Sequence, residues 1–142
     1  MIYISKPYIE ERGNEIFLVS IVKDESRNLQ TELWYSVEKQ YGQYLCDDYA
    51  DSFLLVVLAV AMHSKQDIKI DAPVSSRLLF NVHNTLQPIW QKVLPESKII
   101  KGEFYQFNLS SCIRQQNSLT AQFVSFSLSN LANIFYPPQF LQ

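Results

Sequence analysis

Few side chains in this chain are spaced in a way that could do chemistry. Asp47, Asp48 and Asp51 form a D-D-x-x-D cluster directly after Cys46, in the stretch "CDDYADSFLLVVLAVAM". Three carboxylates so spaced could hold a magnesium ion through oxygen ligands. His63 or His83, paired with a carboxylate such as Asp48 or Asp71, could serve as a general acid or base. Cys46 or Cys112 beside a histidine could be a nucleophile.

Each of these has a plainer reading. Acids at the start of an apolar run cap a helix and oppose its positive dipole end. Magnesium-dependent prenyl-diphosphate enzymes use the same D-D-x-x-D pattern, but they carry a second acidic site, and none is found here. His63 reads as a helix C-terminal residue and His83 as a boundary residue on a second helix. No HExxH or His-Cys cluster accompanies them. Phosphate-cradling loops need glycines for close backbone approach. Gly13, Gly42 and Gly102 are each isolated, so no P-loop, dinucleotide fingerprint or G-x-S-x-G elbow can be written. The sequence therefore assigns no catalytic residue, no cofactor-binding residue and no metal ligand, and calls for no cofactor.

The composition is that of a globular chain, with 142 residues, 47% apolar and 18% charged. A net charge of −2 gives no basic excess for a phosphate backbone, which argues against nucleic acid. Cys46 and Cys112 fit neither a metal nor a redox spacing, and are expected to be two reduced, buried thiols of a cytoplasmic protein. The N-terminal "MIYISKPYIEERGNEIF" lacks the basic and apolar regions of an export signal. The apolar run Phe53 to Met62 is too short for a spanning helix, which needs roughly 20 residues, so no membrane partner is expected.

The elements that would position these residues are legible by period. "IYISKPYI", "IFLVSIV" and "TELWYSV" read as a three-stranded antiparallel meander, with Gly13-Asn14 in the first turn. Leu33, Tyr35 and Val37 share one face. A helix is expected over about 48–64, capped by Asp47 or Asp48, ending near His63, Ser64 and Lys65, and buried because it is apolar all round. "DIKI" is a short strand. Ser75 or Ser76 starts a second helix, about 76–94, whose Leu79, Val82, Leu86, Ile89, Trp90 and Val93 form one apolar stripe. Pro88 should kink or divide it. "KIIKGEFYQF" reads as a further strand region, bent at Gly102. The aromatic clusters "LWY", "FYQF" and "IFYPPQF" are expected to pack in the core. The fold class is α+β: an antiparallel sheet, the meander plus later strands, packed on two main helices.

Composition divides the chain into an α+β domain at 1–103 and a low-charge tail at 104–142. Beyond Phe104 the charge drops to Arg114 alone. In "FVSFSLS", Val124, Phe126 and Leu128 alternate with serines as in a strand, although Val124, Leu128, Leu131 and Phe135 also fit helical spacing. Poor helix propensities favour the strand. Pro137-Pro138 ends this element.

The stretch "LWYSVEKQYGQYLCDDYADSFLLVVLAVAM", followed by "DIKIDAPVSSRLLFNVHNTLQPI", resembles the N-terminal region of bacterial PP-loop ATP-pyrophosphatase proteins of the 7-cyano-7-deazaguanine synthase group. The resemblance covers roughly Tyr3 to Pro95. It implies a small α+β region that precedes a nucleotide-binding domain. The family's SGGxDS loop should follow, yet "NLSSCIRQQNSLTAQF" contains no glycine, so no nucleotide-site residue carries over. The expectation is an accessory, interaction or substrate-recognition domain without catalysis, in a truncated, rearranged or frame-shifted relative. Its protein partner, or a second copy, would meet it through 104–142. The competing expectations are a small cytosolic enzyme with a dispersed His/carboxylate site, and a self-assembling structural or immunity-type protein.

Overall fold

The computed structural model describes residues 1–102 together with the backbone of two short strands, at 106–107 and 125–126. The strands are β1 (Ile2–Ile4), β2 (Tyr8–Arg12), β3 (Glu15–Asp24), β4 (Leu29–Glu38), β5 (Ile68–Ile70), β6 (Val74–Ser75), β7 (Gln106–Phe107) and β8 (Ser125–Phe126). A 3-10 helix follows β4 at Lys39–Tyr44, and the first long helix, α1, spans Asp51–Ser64. The second helical stretch is α2 (Ser76–Asn81), a π turn (Val82–Leu86) and α3 (Gln87–Val93). The architecture is α+β.

The expected meander is present with one refinement. β1 and β2 both lie antiparallel to β3, but Ile4 faces Val22 while Tyr8 faces Val19. Three residues, Ser5 to Pro7, therefore oppose two, Ser20 and Ile21, which makes a bulge. Proline cannot donate to the ladder, and Ser5 compensates locally. Its hydroxyl accepts the Ile21 N–H at 2.9 Å, and its carbonyl accepts the Ser20 hydroxyl at 2.9 Å. The β2–β3 hairpin closes with Arg12 facing Glu15. Gly13 takes a φ of 65° while Asn14 does not turn positive, the pattern of a II′ turn.

The main sheet runs β5-β1-β3-β4-β8, with β2 also on β3. It is mixed: "DIKI" is a strand, but β5 pairs parallel to β1, Ile2 facing Ile68. That departs from a purely antiparallel sheet. A parallel neighbour needs a long crossover, and here the crossover carries α1 back across the sheet. β6 and β7 form a separate parallel pair, and β8 joins β4 antiparallel at Tyr35 and Ser36. Ser125–Phe126 in the "FVSFSLS" stretch is thus a strand. The other expectations for 104–142, including Cys112, "IFYPPQF" and Pro137-Pro138, lie outside the described residues.

One sheet face carries Ile2, Ile4, Leu18, Val22 and Leu33, and α1 packs on it with Phe53, Leu54, Val57, Leu58, Val60, Ala61 and Met62 buried. Each of these Ile, Leu, Val, Phe and Met side chains contributes about 1.5–3 kcal/mol of burial free energy, and Ala61 less. Tyr35, on the same face, meets Phe53 edge-on at 5.3 Å and donates its hydroxyl to the Ser52 carbonyl at 2.8 Å. Burial pushes its phenol up to about 12. On the opposite face Phe17 packs against Trp34 at 5.0 Å, with the Arg12 guanidinium 5.1 Å above Phe17. No helix among the described residues is long and apolar enough to cross a membrane.

The helix ends differ from expectation. α1 begins at Asp51 with Ala50 as its N-cap, and no side chain caps it there, so neither Asp47 nor Asp48 plays that role. The Ala50 N–H goes instead to the Pro73 carbonyl at 3.0 Å, which fixes the start of the helix against the next connection. At the other end Lys65 closes α1 in the left-handed conformation, φ 59°. The second helix does begin at Ser75, whose hydroxyl accepts the Leu78 N–H.

Pro88 divides the second helix as expected, by way of a π turn. The Gln87 N–H reaches back five residues to the Val82 carbonyl. This wider turn holds one residue more than an α turn, so every later position lags by about one residue. The single apolar stripe is therefore broken. Leu79 and Val82 are buried, but after the turn the buried position passes to Gln87. Trp90 and Leu94 follow it at 39% and 40% exposed, while Ile89 and Val93 are turned out to 52% and 68%. Of the expected strand region "KIIKGEFYQF", Gln106–Phe107 is a strand, whereas 98–102 is not; Ile100 is nonetheless buried.

Candidate functional site

The three leading aspartates do not converge. Asp51, in the first turn of α1, directs both carboxylate oxygens at Ser75: it accepts the Ser75 N–H at 2.8 Å and the Ser75 hydroxyl at 2.5 Å. That hydroxyl in turn caps Leu78 at 3.3 Å. Asp48 accepts the Cys46 thiol at 3.8 Å in the coil before the helix. Among the described residues, no three His, Cys, Asp or Glu side chains gather as a metal-holding group. Of the three acids only Asp51 acts at a helix start, and it does so on the neighbouring helix through Ser75; Asp47 and Asp48 do not cap α1 as the sequence suggested.

Cys46 is exposed, contrary to the expected buried thiol, because it precedes α1 in open coil between the 3-10 helix and the helix start. His63 occupies the last turn of α1 and His83 the π turn, and both are exposed. Asp71 is hydrogen-bonded by the Tyr3 phenol, whose pKa is raised by burial and then by this carboxylate. A shallow pocket lies between the sheet and α1, lined by Ile2, Val22, Leu29 and Val57 together with Asp24. Neither histidine lines it.

Asp24 is the most engaged carboxylate of the described chain and was not singled out by sequence. It ends β3, is buried, and accepts the Ser26 N–H at 2.9 Å, the Ser26 hydroxyl at 2.6 Å and the Arg27 N–H at 3.3 Å. Gln66 donates to both its oxygens at 3.1 Å, and the Arg27 guanidinium lies 3.4 Å away. Burial opposes ionisation here, but the bonds from Ser26, Gln66 and Arg27 outweigh it and hold the carboxyl below its usual range. Gln66 also accepts the Met1 amine at 2.9 Å. The network joins the chain start, the β3–β4 turn and the end of α1. With its acceptors filled, it is a structural junction. The signal in the sequence is local: an aspartate followed two residues later by serine, the Asx-turn pattern.

Gln87 is the second polar group missed. Fully buried, its amide accepts the Ile100 N–H at 2.6 Å and donates to the Ile100 carbonyl at 3.2 Å. It holds the returning chain as a strand neighbour would.

Several of the exposed large apolar side chains gather on the second helical stretch. Phe80, Ile89, Trp90, Val93 and Leu94 are exposed on one helical stretch. Between Ser76 and Pro95 the charged side chains are Arg77 and Lys92 alone. Ile89 and Val93, one turn apart, share a face. No protein-family model, no curated protein and no solved structure matches the chain.

Proposed function

We propose that the chain is a non-catalytic interaction domain whose first partner is a second copy of itself. The observation that carries this reading is the outward turn of Ile89 and Val93 on α3. Apolar side chains at i and i+4 on a weakly charged helix suit packing against another helix, and an isologous pair needs only one such patch. The low-charge segment 104–142 would serve the same self-association. A relation to the N-terminal part of PP-loop ATPase-like proteins belongs to this reading, supported by the order of strands, acid-headed apolar helix, short strand and second helix. Such a domain neither hydrolyses ATP nor binds it with micromolar affinity.

The test is sedimentation velocity of the purified protein over a wide concentration range, beside the Ile89→Glu/Val93→Glu variant. The wild type should gain mass with concentration and the variant should not. A wild type that stays monomeric, or ATP turnover by homogeneous protein, counts against the reading.

A further inference from the structure

We infer that residues 87–96 form a strap that opens as a unit about the π turn, latched by the Gln87 amide on Ile100. Three observations converge on this segment. From Ile89 to Glu96 no side chain is buried, and Ile89 and Val93 stand 52% and 68% exposed, so swinging the segment away uncovers chiefly the covered parts of Trp90 and Leu94. α3 has seven residues, well short of the roughly 12–15 that an isolated helix needs to persist in water. Pro88 gives its N-terminal turn one hydrogen bond fewer, next to a π turn that already closes over five residues.

Against this stand the two bonds between Gln87 and the Ile100 backbone, at 2.6 and 3.2 Å. Both are buried when the strap is closed, and both can be replaced by water when it is open. Beyond the strap the chain is fastened again, by the Lys98 N–H on the Met62 carbonyl at 3.0 Å, at the end of α1. α1 itself buries seven side chains and can open only with the whole core. The molecule thus has two tiers of stability, with the break between them at Gln87. If the proposed docking reading holds, whatever seats on Ile89 and Val93 binds the closed strap better than the open one, and so couples docking to latching.

The experiment is native-state hydrogen exchange on the full chain at a concentration low enough to exclude self-association. Failure of the docking reading therefore leaves its outcome unchanged. Amides of residues 89–94 should exchange at least about tenfold faster than those of 57–62, with a weaker dependence on denaturant. In Gln87→Met, the amides of 89–94 and of Ile100 should accelerate together by about tenfold while 57–62 are unchanged. Should that variant fail to fold, the wild-type comparison decides. Exchange of 89–94 together with 57–62 in one global step, or equal acceleration of both by the substitution, overturns the inference.

Discussion

The carboxylate of Asp51 accepts both the backbone N–H and the hydroxyl of Ser75, residues 24 apart in sequence, and so ties the start of one helix to the start of the next. Asp51 sits in the first turn of α1, and Ser75 caps α2. One carboxylate thus lies at the positive ends of two helix dipoles. The predicted consequence is energetic coupling. Asp51→Ala and Ser75→Ala should each cost about 1–3 kcal/mol in urea unfolding. The double variant should lose less than the sum, by about 0.5–3 kcal/mol. Additive losses would mean that the two helix starts are independent.

Asp24 makes stability depend on acid. Its carboxyl is held below the ordinary range in the folded protein, although burial alone would raise it, because Ser26, Gln66 and Arg27 donate to it. A carboxyl depressed on folding contributes stability above its unfolded value, about 3.9, and loses it as the pH falls through the lower folded value. Wild-type stability should therefore decline below about pH 4. Asp24→Asn should be less stable at neutral pH and show a flatter acid limb. Parallel pH profiles for the two proteins would contradict this.

Gly42 is required by contact. A β-carbon built there would lie 2.7 Å from Ile16 Cγ1 and 3.2 Å from its Cβ. The 3-10 helix after β4 can press on β3 only without a side chain at that position. Gly42→Ala should cost about 1–3 kcal/mol in thermal unfolding. Combining it with Ile16→Ala, which removes the nearer atom, should cost less than the two changes separately.

Much of the fold was legible because it depends on local period. The alternation of Leu33, Tyr35 and Val37 marked a strand face, and the apolar run from Phe53 to Met62 marked a helix, but one that is not buried all round as expected, since Leu55 is turned out to 46% exposure. What was not legible depends on partners distant in sequence. Gln66, 42 residues from Asp24, completes its shell, and Ile100, 13 from Gln87, explains a buried amide. The stripe from Leu79 to Val93 read as continuous because its period assumed α geometry throughout. One π turn before Pro88 shifted the phase, buried a glutamine and exposed Ile89 and Val93. The surface on which the functional proposal rests is therefore the part that simple periodicity misplaced. Asp51 was placed correctly at a helix start, but its role belongs to the second helix, which no local pattern reveals.

The central claim, that this is an interaction domain docking through the outward face of α3, is met most directly by measuring its mass in solution. Sedimentation velocity across a wide concentration range should show the wild type passing from monomer to dimer, and Ile89→Glu/Val93→Glu remaining monomeric with an unchanged thermal midpoint. A wild type that is monomeric throughout, or a variant that dimerises as well as the wild type, would contradict it.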